Sequence, residues 1–201
     1  MQDEFNDLSQ NKRAYDNQIS GSRELTHLLN AEQGNNKSIL NIGSGAFDIP
    51  ILWKDLIIYN LEPCPNRSTE NTWEGWCENI PKEIAPVDLI ICWGTFCFVR
   101  GIQESLVQFN QTLKLKGILI VDIVEYTTMA LAQTTNPECF VRYVGMFGFR
   151  MKEEIQFGES HHKRVAFRFE KIREFDPSWM RMPQTVDKIN NYLPERDWYL
   201  K

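Results

Sequence analysis

The chain has 201 residues, of which 42% are hydrophobic and 24% are charged, with a formal net charge of −5. This composition is typical of a globular protein, and the length is sufficient for one domain with a buried core. Proteins that bind phosphate backbones usually carry a basic patch, so the acidic balance disfavours nucleic acid as a partner. The apolar runs are strand-length and the N-terminus has no signal-like segment, which predicts a cytoplasmic protein with no membrane partner.

The five cysteines do not indicate a structural or metal-binding framework. Their number is odd, and no Cys-x-x-Cys pair occurs. A disulfide scaffold or a zinc site would need closer clustering, so we predict no metal and expect most of the thiols to be small buried hydrophobes.

The first predicted helix follows Ser22, which can cap a segment from Arg23 to about Gln33 that has its leucines on one face. Gly34 then ends it. Four nearly unbroken runs of Ile, Leu and Val follow at 39–42, 56–61, 87–93 and 117–124. Continuous apolar runs are typical of parallel strands that are covered on both faces.

The segment between the last two runs predicts a crossover helix over 102–115, from the roughly helical spacing of Leu106, Phe109, Leu113 and Leu115. Together these elements form a βαβ unit, whose crossover should be right-handed. Residues 153–157 and 165–172 instead alternate between apolar and polar side chains, which predicts an antiparallel hairpin. The basic run from His161 to Arg164 is then a solvated turn between its strands.

A candidate nucleotide site follows the first strand. Gly43 and Gly45 allow a ligand to approach the backbone closely, and Glu62 ends the second strand, where a carboxylate can hold both hydroxyls of a ribose. A dinucleotide fingerprint would need a third glycine at the position of Asp48, whose charge opposes a pyrophosphate. Nicotinamide cofactors are therefore disfavoured.

Several local patterns in this order resemble the class I S-adenosylmethionine-dependent methyltransferases. Residues 40–46 resemble the glycine-rich first motif and 59–63 the second, with Glu62 as its acidic residue. Residues 75–81 with 87–91, then 110–121 and 144–149, resemble the later motifs in family order. The resemblance implies an α/β fold: a doubly wound, mostly parallel seven-stranded sheet, with helices on both faces and a C-terminal antiparallel hairpin. It implies a helical lid at 1–37, the α/β domain at 38–175 and an aromatic-rich tail at 176–201.

The resemblance implies S-adenosyl-L-methionine as cofactor. Carried over to this sequence, the cofactor contacts fall on Tyr15, Asn41, Gly43, Ser44, Gly45, Glu62, Pro63, Trp76, Cys77, Trp93, Gly94 and Thr95. Three positions depart from the family pattern: Asn41 replaces an acidic residue, Phe47 a glycine, and Trp76 an aspartate that meets adenine.

The acceptor should bind beyond the carboxyl ends of the strands. Candidate substrate residues are Phe96, Phe98, Arg100 and Asp122, and Glu125 or Tyr126 could accept a proton from an oxygen or nitrogen nucleophile. Their alternative roles are core packing for the two phenylalanines, a surface charge for the arginine, and a helix cap or ion pair for Asp122.

The fourth strand ends in Cys92-Trp-Gly-Thr-Phe, which lacks the Asn- or Asp-Pro-Pro-aromatic tetrapeptide of enzymes of this fold that methylate DNA amines. DNA is therefore disfavoured, and a small molecule or a protein side chain is left as the acceptor. We expect O- or N-methyl transfer to a small molecule. The alternatives are a catalytically degenerate binding or regulatory protein, and an enzyme that uses the nucleotide differently. The tail packs on the sheet or forms a homodimer contact.

Overall fold

The computed structural model describes residues 21–32, 34, 38–43, 55–63, 71–84, 86–96, 99–124, 137–158 and 163–177. Within these ranges one sheet contains seven strands in the order β3-β2-β1-β4-β5-β7-β6. The strands are β1 (Ser38–Ile42), β2 (Ile57–Glu62), β3 (Thr72–Glu74), β4 (Val87–Cys92), β5 (Leu113–Val124), β6 (Phe149–Phe157) and β7 (Arg164–Lys171). The helices are α1 (Ser22–Asn30), α2 (Ile102–Thr112) and α3 (Pro137–Met146), with a 3-10 turn at Lys82–Ile84.

The pairing of the strands confirms the predicted fold class. Strands β1 to β5 pair in parallel, with β4 beside β1 and β5 beside β4. Strand β7 then runs antiparallel to both β5 and β6. Because all the parallel strands point the same way, their carboxyl ends lie along one edge of the sheet, which we call the carboxyl edge. The opposite edge is called the amino edge.

The core lies on both faces of the sheet. One face packs against α2 and α3, and its fully buried side chains include Phe109, Phe140 and Phe167. The other face packs against α1 through Leu25 and Leu28. Burial of a leucine or phenylalanine side chain contributes about 1.5–3 kcal/mol, so these two layers account for much of the stability of the sheet. Helix α1, which falls within the segment predicted as a lid, therefore packs on the sheet.

The start and end of α1 differ from the prediction. Gly21 occupies the N-cap position and no side chain caps the helix, so the capping role predicted for Ser22 is wrong. Ser22 is the first helical residue, and its carbonyl oxygen accepts the Thr26 hydroxyl at 2.7 Å. The helix ends at Asn30, a turn earlier than predicted, and Gly34 follows with a φ of +84°.

The end of α2 also differs from the prediction. The helix ends at Thr112, and Leu113 is already extended, with φ −78° and ψ 139°. Between Leu113 and Ile118 the pairing with β4 is irregular, and Lys116 adopts a φ of +68°. Leu115 is exposed on this irregular segment rather than on the buried face of a helix. The predicted helical face therefore combined a helix end with the start of a strand.

A network of buried polar groups connects α2, α3 and β7 at the amino edge. The ammonium group of Lys171 donates to the carbonyl oxygens of Asn110 (2.6 Å) and Leu113 (2.8 Å) and to Glu174 Oε2 (2.8 Å). The Asn110 amide donates to the Phe147 and Arg173 carbonyl oxygens, and its Oδ1 accepts from the Phe175 backbone. All three ammonium protons of Lys171 thus have acceptors although its side chain is buried.

Candidate active site

The predicted site residues that the structure describes lie at or just beyond the carboxyl edge. Residues alternate between the faces of a strand, and Trp93 belongs to the α1 face together with Leu89 and Ile91. By the same alternation Asp122 lies on the α1 face with Ile120, and Arg164 with Ala166. Neighbouring strands therefore present these three side chains as one row.

Gly43 forms the turn that follows β1. Its φ is +68°, and its N–H donates to the Leu61 carbonyl oxygen at 2.8 Å. A Cβ at this position would lie 2.6 Å from Thr95 Cγ2 and closer still to its hydroxyl. Only glycine fits this position, because a side chain would be strained by the left-handed backbone and would clash with the end of β4.

Thr95 connects the ends of β1 and β4. Its hydroxyl is 3.1 Å from the Trp93 carbonyl oxygen and 3.3 Å from the Gly43 carbonyl oxygen, to which it can donate. Gly94, between Trp93 and Thr95, has a φ of +65°. The turn after β4 is therefore compact and lies directly beside the glycine turn after β1.

Asp122 and Arg164 form an ion pair behind this turn. Arg164 donates to Asp122 Oδ2 from Nε at 2.7 Å and from Nη2 at 2.5 Å. The other carboxylate oxygen, Oδ1, accepts the Gly94 N–H at 2.5 Å. The side chains are only 1% exposed for Asp122 and 12% for Arg164, so the pair lies in a medium of low polarity, where charge-assisted hydrogen bonds are strong.

Two aromatic rings hold the guanidinium of Arg164. Its Cζ lies 5.4 Å from the centre of the Trp93 ring and 4.8 Å from that of Phe157, and the two rings stack 5.3 Å apart. A Cβ on Gly21 would come within 3.0 Å of both rings, so the N-terminus of α1 packs closely over them. Among the described residues, none accepts a hydrogen bond from the buried Trp93 indole N–H.

Asn41 and Glu62 lie at the ends of β1 and β2. Asn41 is buried, and its amide donates to Asn60 Oδ1 on the neighbouring strand at 3.1 Å. Glu62 and Pro63 are half-buried, and the Glu62 carbonyl oxygen accepts from the Gly75 N–H at 2.9 Å. The end of β2 is therefore fixed by its backbone, and Glu62 lies one strand away from the Gly43 turn.

The predicted adenine-side loop follows β3. Trp76 is half-buried and forms a bridge with Asn79. Cys77 is fully buried, and its Sγ lies 3.9 Å from Sγ of Cys92, so its thiol belongs to the core. Both cysteines are buried without a disulfide, as the sequence predicted for most of the thiols. In the same loop, Glu78 Oε1 accepts the backbone N–H groups of Arg100 and Gly101, just ahead of α2.

The candidate substrate residues occupy different environments. Phe96 is fully buried, with its ring 6.2 Å from that of Phe109 and 5.7 Å from that of Phe140. Arg100 is exposed. Asp122 faces Arg164 rather than open solvent. The remaining predicted site residues lie outside the described ranges: Tyr15, Ser44, Gly45, Phe98, Glu125 and Tyr126.

Arg164 and Phe157 were not identified as site residues by sequence reasoning. The sequence pattern assigns Arg164 to a solvated turn, whereas it is the first residue of β7 and is largely buried. The strand alternation could have identified Arg164. It places this residue on the face opposite to Val165 and Phe167, which is the α1 face. Its partner could not be predicted, because the register between β5 and β7 depends on contacts distant in sequence.

Comparison with family models and with curated proteins gave no match. Among solved structures, the chain is similar to the 1,6-didemethyltoxoflavin-N1-methyltransferase of Burkholderia thailandensis, with a TM-score of 0.65 and 12% identity over 85% of this chain and 87% of that chain. It is also similar to the N-methyltransferase NodS of Bradyrhizobium japonicum WM9, with a TM-score of 0.59 and 12% identity over 76% and 94%. A third similar structure is magnesium protoporphyrin IX methyltransferase of Synechocystis PCC 6803, with a TM-score of 0.57 and 10% identity over 77% and 79%.

The chain therefore has the class I methyltransferase fold, as the order of its motifs predicted. Two of these structures contain S-adenosylhomocysteine or S-adenosylmethionine: the Burkholderia structure and the Synechocystis structure, respectively. Within the described part of this chain, no helix is long and apolar enough to cross a bilayer. No cluster of three or more potential metal ligands occurs among the same residues.

Proposed function

We propose that the protein is an S-adenosylmethionine-dependent methyltransferase that transfers a methyl group to an oxygen or nitrogen atom of a small molecule. The observation that carries this proposal is the Gly43 turn, with its left-handed backbone, beside Glu62 at the carboxyl edge. In open α/β sheets ligands bind at this edge, near the point where the strand order reverses, and here β1 lies between β2 and β4.

The residues present fit the cofactor. The Gly43 turn lacks a side chain where the methionine part would pass, and the Glu62 carboxylate can accept hydrogen bonds from both ribose hydroxyls. Trp76 would contact the adenine with its half-buried ring. The thiol of Cys77 is buried in the core, so Cys77 would contact the adenine through its backbone. Ser44, Gly45 and Pro63 would complete the two turns, and Tyr15 would close over them from the N-terminal segment.

Asn41 takes a different role from the acidic residue usual at its position. Its amide is already bound to Asn60, and it carries no charge to balance the amino group of the cofactor. We propose that Trp93, Gly94 and Thr95 line the methionine end and orient that amino group mainly through the backbone. Bound cofactor would supply a methyl group activated on a positively charged sulfur.

The contribution of the protein to this reaction is alignment and exclusion of water. A turn fixed by Thr95 and Gly94 keeps its geometry when a substrate binds, so less reorganisation is needed. Glu125 or Tyr126, which follow β5, would accept the proton of the nucleophile. Phe98 and Arg100 would contact the acceptor, whereas Phe96 is fully buried in the core.

The small-molecule assignment is supported by the names of two similar proteins, which give 1,6-didemethyltoxoflavin and magnesium protoporphyrin IX as the molecules methylated. The absence of an Asn- or Asp-Pro-Pro-aromatic sequence after β4 agrees with it. We also propose a cytoplasmic location and a homodimer formed through the tail, of which residues 178–201 lie outside the described residues.

Calorimetric titration with S-adenosylmethionine and S-adenosylhomocysteine tests the proposal. We expect micromolar binding by the wild type and a loss of about tenfold or more in Glu62→Ala, because a bidentate charge-assisted contact is worth at least about 1.4 kcal/mol. Glu83→Ala removes an exposed carboxylate from the turn before β4 and should bind as the wild type does. Millimolar or absent binding to the wild type would refute the proposal.

The second candidate function is a degenerate methyltransferase-like protein that binds a partner or a ligand without turnover. The observation in its favour is Asn41, whose uncharged amide is engaged with Asn60. The two functions are separated by incubating the protein with methyl-labelled S-adenosylmethionine and a metabolite extract. Transfer of the label to a small molecule supports the enzyme, whereas cofactor that is bound and recovered unchanged supports the binding protein.

A further inference from the structure

We propose that Arg164 is a positioning residue of the proposed cofactor site, which acts through Asp122 on the turn after β4. This inference rests on the proposed function and assigns a role in it to the β6–β7 hairpin. The relevant geometry is a continuous series of polar contacts along the carboxyl edge. It begins at Arg164 on β7, passes through Asp122 on β5 and the turn after β4, and reaches the Gly43 turn after β1.

Asp122 uses its two oxygens for different purposes. Oδ2 accepts two N–H groups of Arg164, and Oδ1 accepts the backbone N–H of Gly94. The carboxylate thus fixes a main-chain amide of the turn, and the arginine fixes the carboxylate. Because the pair is nearly inaccessible to water, a change in one contact is transmitted to the other rather than being screened by solvent.

The turn needs such support because a glycine leaves the backbone free to adopt other conformations. Gly94 has a φ of +65°, and the same turn must keep the Thr95 hydroxyl within reach of the Gly43 carbonyl oxygen. A small rotation about Gly94 would separate Thr95 from Gly43 and change the distance between the two turns. Those turns are the ones that we assign to the methionine end of the cofactor.

Arg164 is itself held in place by the hairpin. The guanidinium lies over the rings of Trp93 and Phe157, which stack nearly parallel at 9°. Cation–π contacts of this kind favour arginine because its planar group stacks and still donates hydrogen bonds in its own plane. The end of β6 and the start of β7 therefore determine where the Asp122 carboxylate points.

Fold stability alone gives a weak reason for this pair. A buried ion pair often contributes no more to stability than well-packed apolar side chains of the same volume would. Apolar side chains, however, could not accept a hydrogen bond from the Gly94 N–H. The location of the pair, directly behind the turn, is thus explained by the control of a backbone group at the site.

The test compares two ligands that share adenosine but differ at the methionine end. S-adenosylhomocysteine carries the amino acid part, and 5′-deoxy-5′-methylthioadenosine lacks it. In Arg164→Met we expect the affinity for S-adenosylhomocysteine to fall about tenfold, the effect of losing roughly one good hydrogen bond, while that for methylthioadenosine changes less than about twofold. Arg164→Lys keeps the charge but not the two-pronged contact, and should recover part of the loss.

A matched control lies on the same hairpin. Arg150 of β6 donates to Glu170 at 2.6 Å, but at the amino edge. Arg150→Met removes an arginine–carboxylate contact on the same hairpin, a more exposed one, and should leave both affinities unchanged. If Arg164→Met does not fold, Asp122→Asn serves instead, because its shape is conserved while its single amide oxygen cannot accept from both Arg164 and Gly94. We expect the same selective loss in that variant.

The possible results separate the positioning role from the proposed function. A loss that is equal for the two ligands, or an unchanged affinity for S-adenosylhomocysteine, overturns the positioning role while leaving the proposed function intact. If the wild type binds neither ligand, the proposed function itself fails, and the inference fails with it. A selective loss with partial recovery by lysine supports the proposal.

Discussion

The two edges of the sheet use polar groups in different ways. At the amino edge, Lys171 and Asn110 are fully buried, and their side-chain N–H groups donate to protein acceptors. At the carboxyl edge, Gly43 and Gly94 adopt left-handed backbone conformations, and the Trp93 indole N–H has no acceptor among the described residues. Left-handed residues occur at both edges. The edges differ in what is hydrogen-bonded: buried side chains connect the elements at the amino edge, whereas at the carboxyl edge backbone groups of the turns after β1 and β4 are held.

This difference indicates where the protein gains stability and where it can bind. Buried polar networks with every group satisfied fix a single arrangement of the elements around them. Glycine adopts a left-handed backbone without the Cβ penalty and lets a ligand approach the backbone closely, as the turns at Gly43 and Gly94 allow. Changes at the amino edge should therefore affect folding, and changes at the carboxyl edge should affect binding.

The largest effect on stability is expected from Asn110→Ala. This change leaves the Phe147 and Arg173 carbonyl oxygens and the Phe175 N–H without their buried partner. Each such group costs about 1–3 kcal/mol, so we expect a loss of about 3 kcal/mol or more in the free energy of unfolding, measured by urea denaturation. Unchanged stability would show that the network is dispensable.

The same variant tests the division between the edges. Binding of S-adenosylhomocysteine to folded Asn110→Ala should remain within about twofold of the wild type, because the network lies at the edge opposite to the proposed site. The matched control is Gln111, the next residue of the same helix, whose side chain is exposed. Gln111→Ala should change neither stability nor binding.

A smaller loss of stability, but a direct loss of binding, is expected from Gly43→Ala. The new Cβ would be strained at a φ of +68° and would meet Thr95. The strain costs about 1–2 kcal/mol, and displacement of Thr95 adds a change in the turn. We expect binding of S-adenosylhomocysteine to weaken about tenfold or more in calorimetry.

Gly34→Ala separates strain from displacement. Gly34 has a similar φ of +84°, but a Cβ there would meet nothing within 4 Å. This variant should be destabilised by the backbone strain alone and should keep the wild-type affinity for S-adenosylhomocysteine. Equal binding losses in the two variants would contradict the role of the Gly43 turn.

The smallest expected effect is a pH dependence of the stability, which comes from the carboxyl group of Glu170 at the amino edge. Burial raises the pKa of Glu170, but the Arg150 hydrogen bond and the charges of Lys152 and Arg150 outweigh it, so its pKa lies below the ordinary value. Glu170 therefore stabilises the fold above the ordinary glutamate pKa of about 4.3, and this contribution is lost as the pH falls through its lower folded pKa. The stability advantage of the wild type over Glu170→Gln should shrink below about pH 4.3 in denaturation curves. A stability difference between the wild type and Glu170→Gln that does not change with pH would contradict this explanation.

The sequence predicted the parts of the fold that depend on long local patterns. The apolar runs at β1, β2, β4 and β5 and the alternation at β6 and β7 all correspond to strands. The end of α2 was missed because Leu113 and Leu115 fit a helical and an alternating period equally well over so short a stretch. The three-residue strand Thr72–Glu74 has too few residues for any period.

The candidate site was less predictable because it depends on register. Gly43 and Glu62 could be identified from their positions after strands, whereas the contact between Asp122 and Arg164 requires β7 to pair with β5 in one particular register. The contact between Asn41 and Asn60 likewise follows from the pairing of β1 with β2. Such pairings are decided by packing across the whole sheet rather than by local sequence.

Hydrogen exchange with and without S-adenosylhomocysteine, read by mass spectrometry on peptides along the chain, tests the central claim most directly. We predict slower exchange in peptides that contain Gly43, Glu62 and Gly94, at the carboxyl edge. Peptides around Asn110 and Gly148, at the amino edge, should exchange at unchanged rates. The absence of any protection, or protection confined to the amino edge, would contradict the proposed cofactor site.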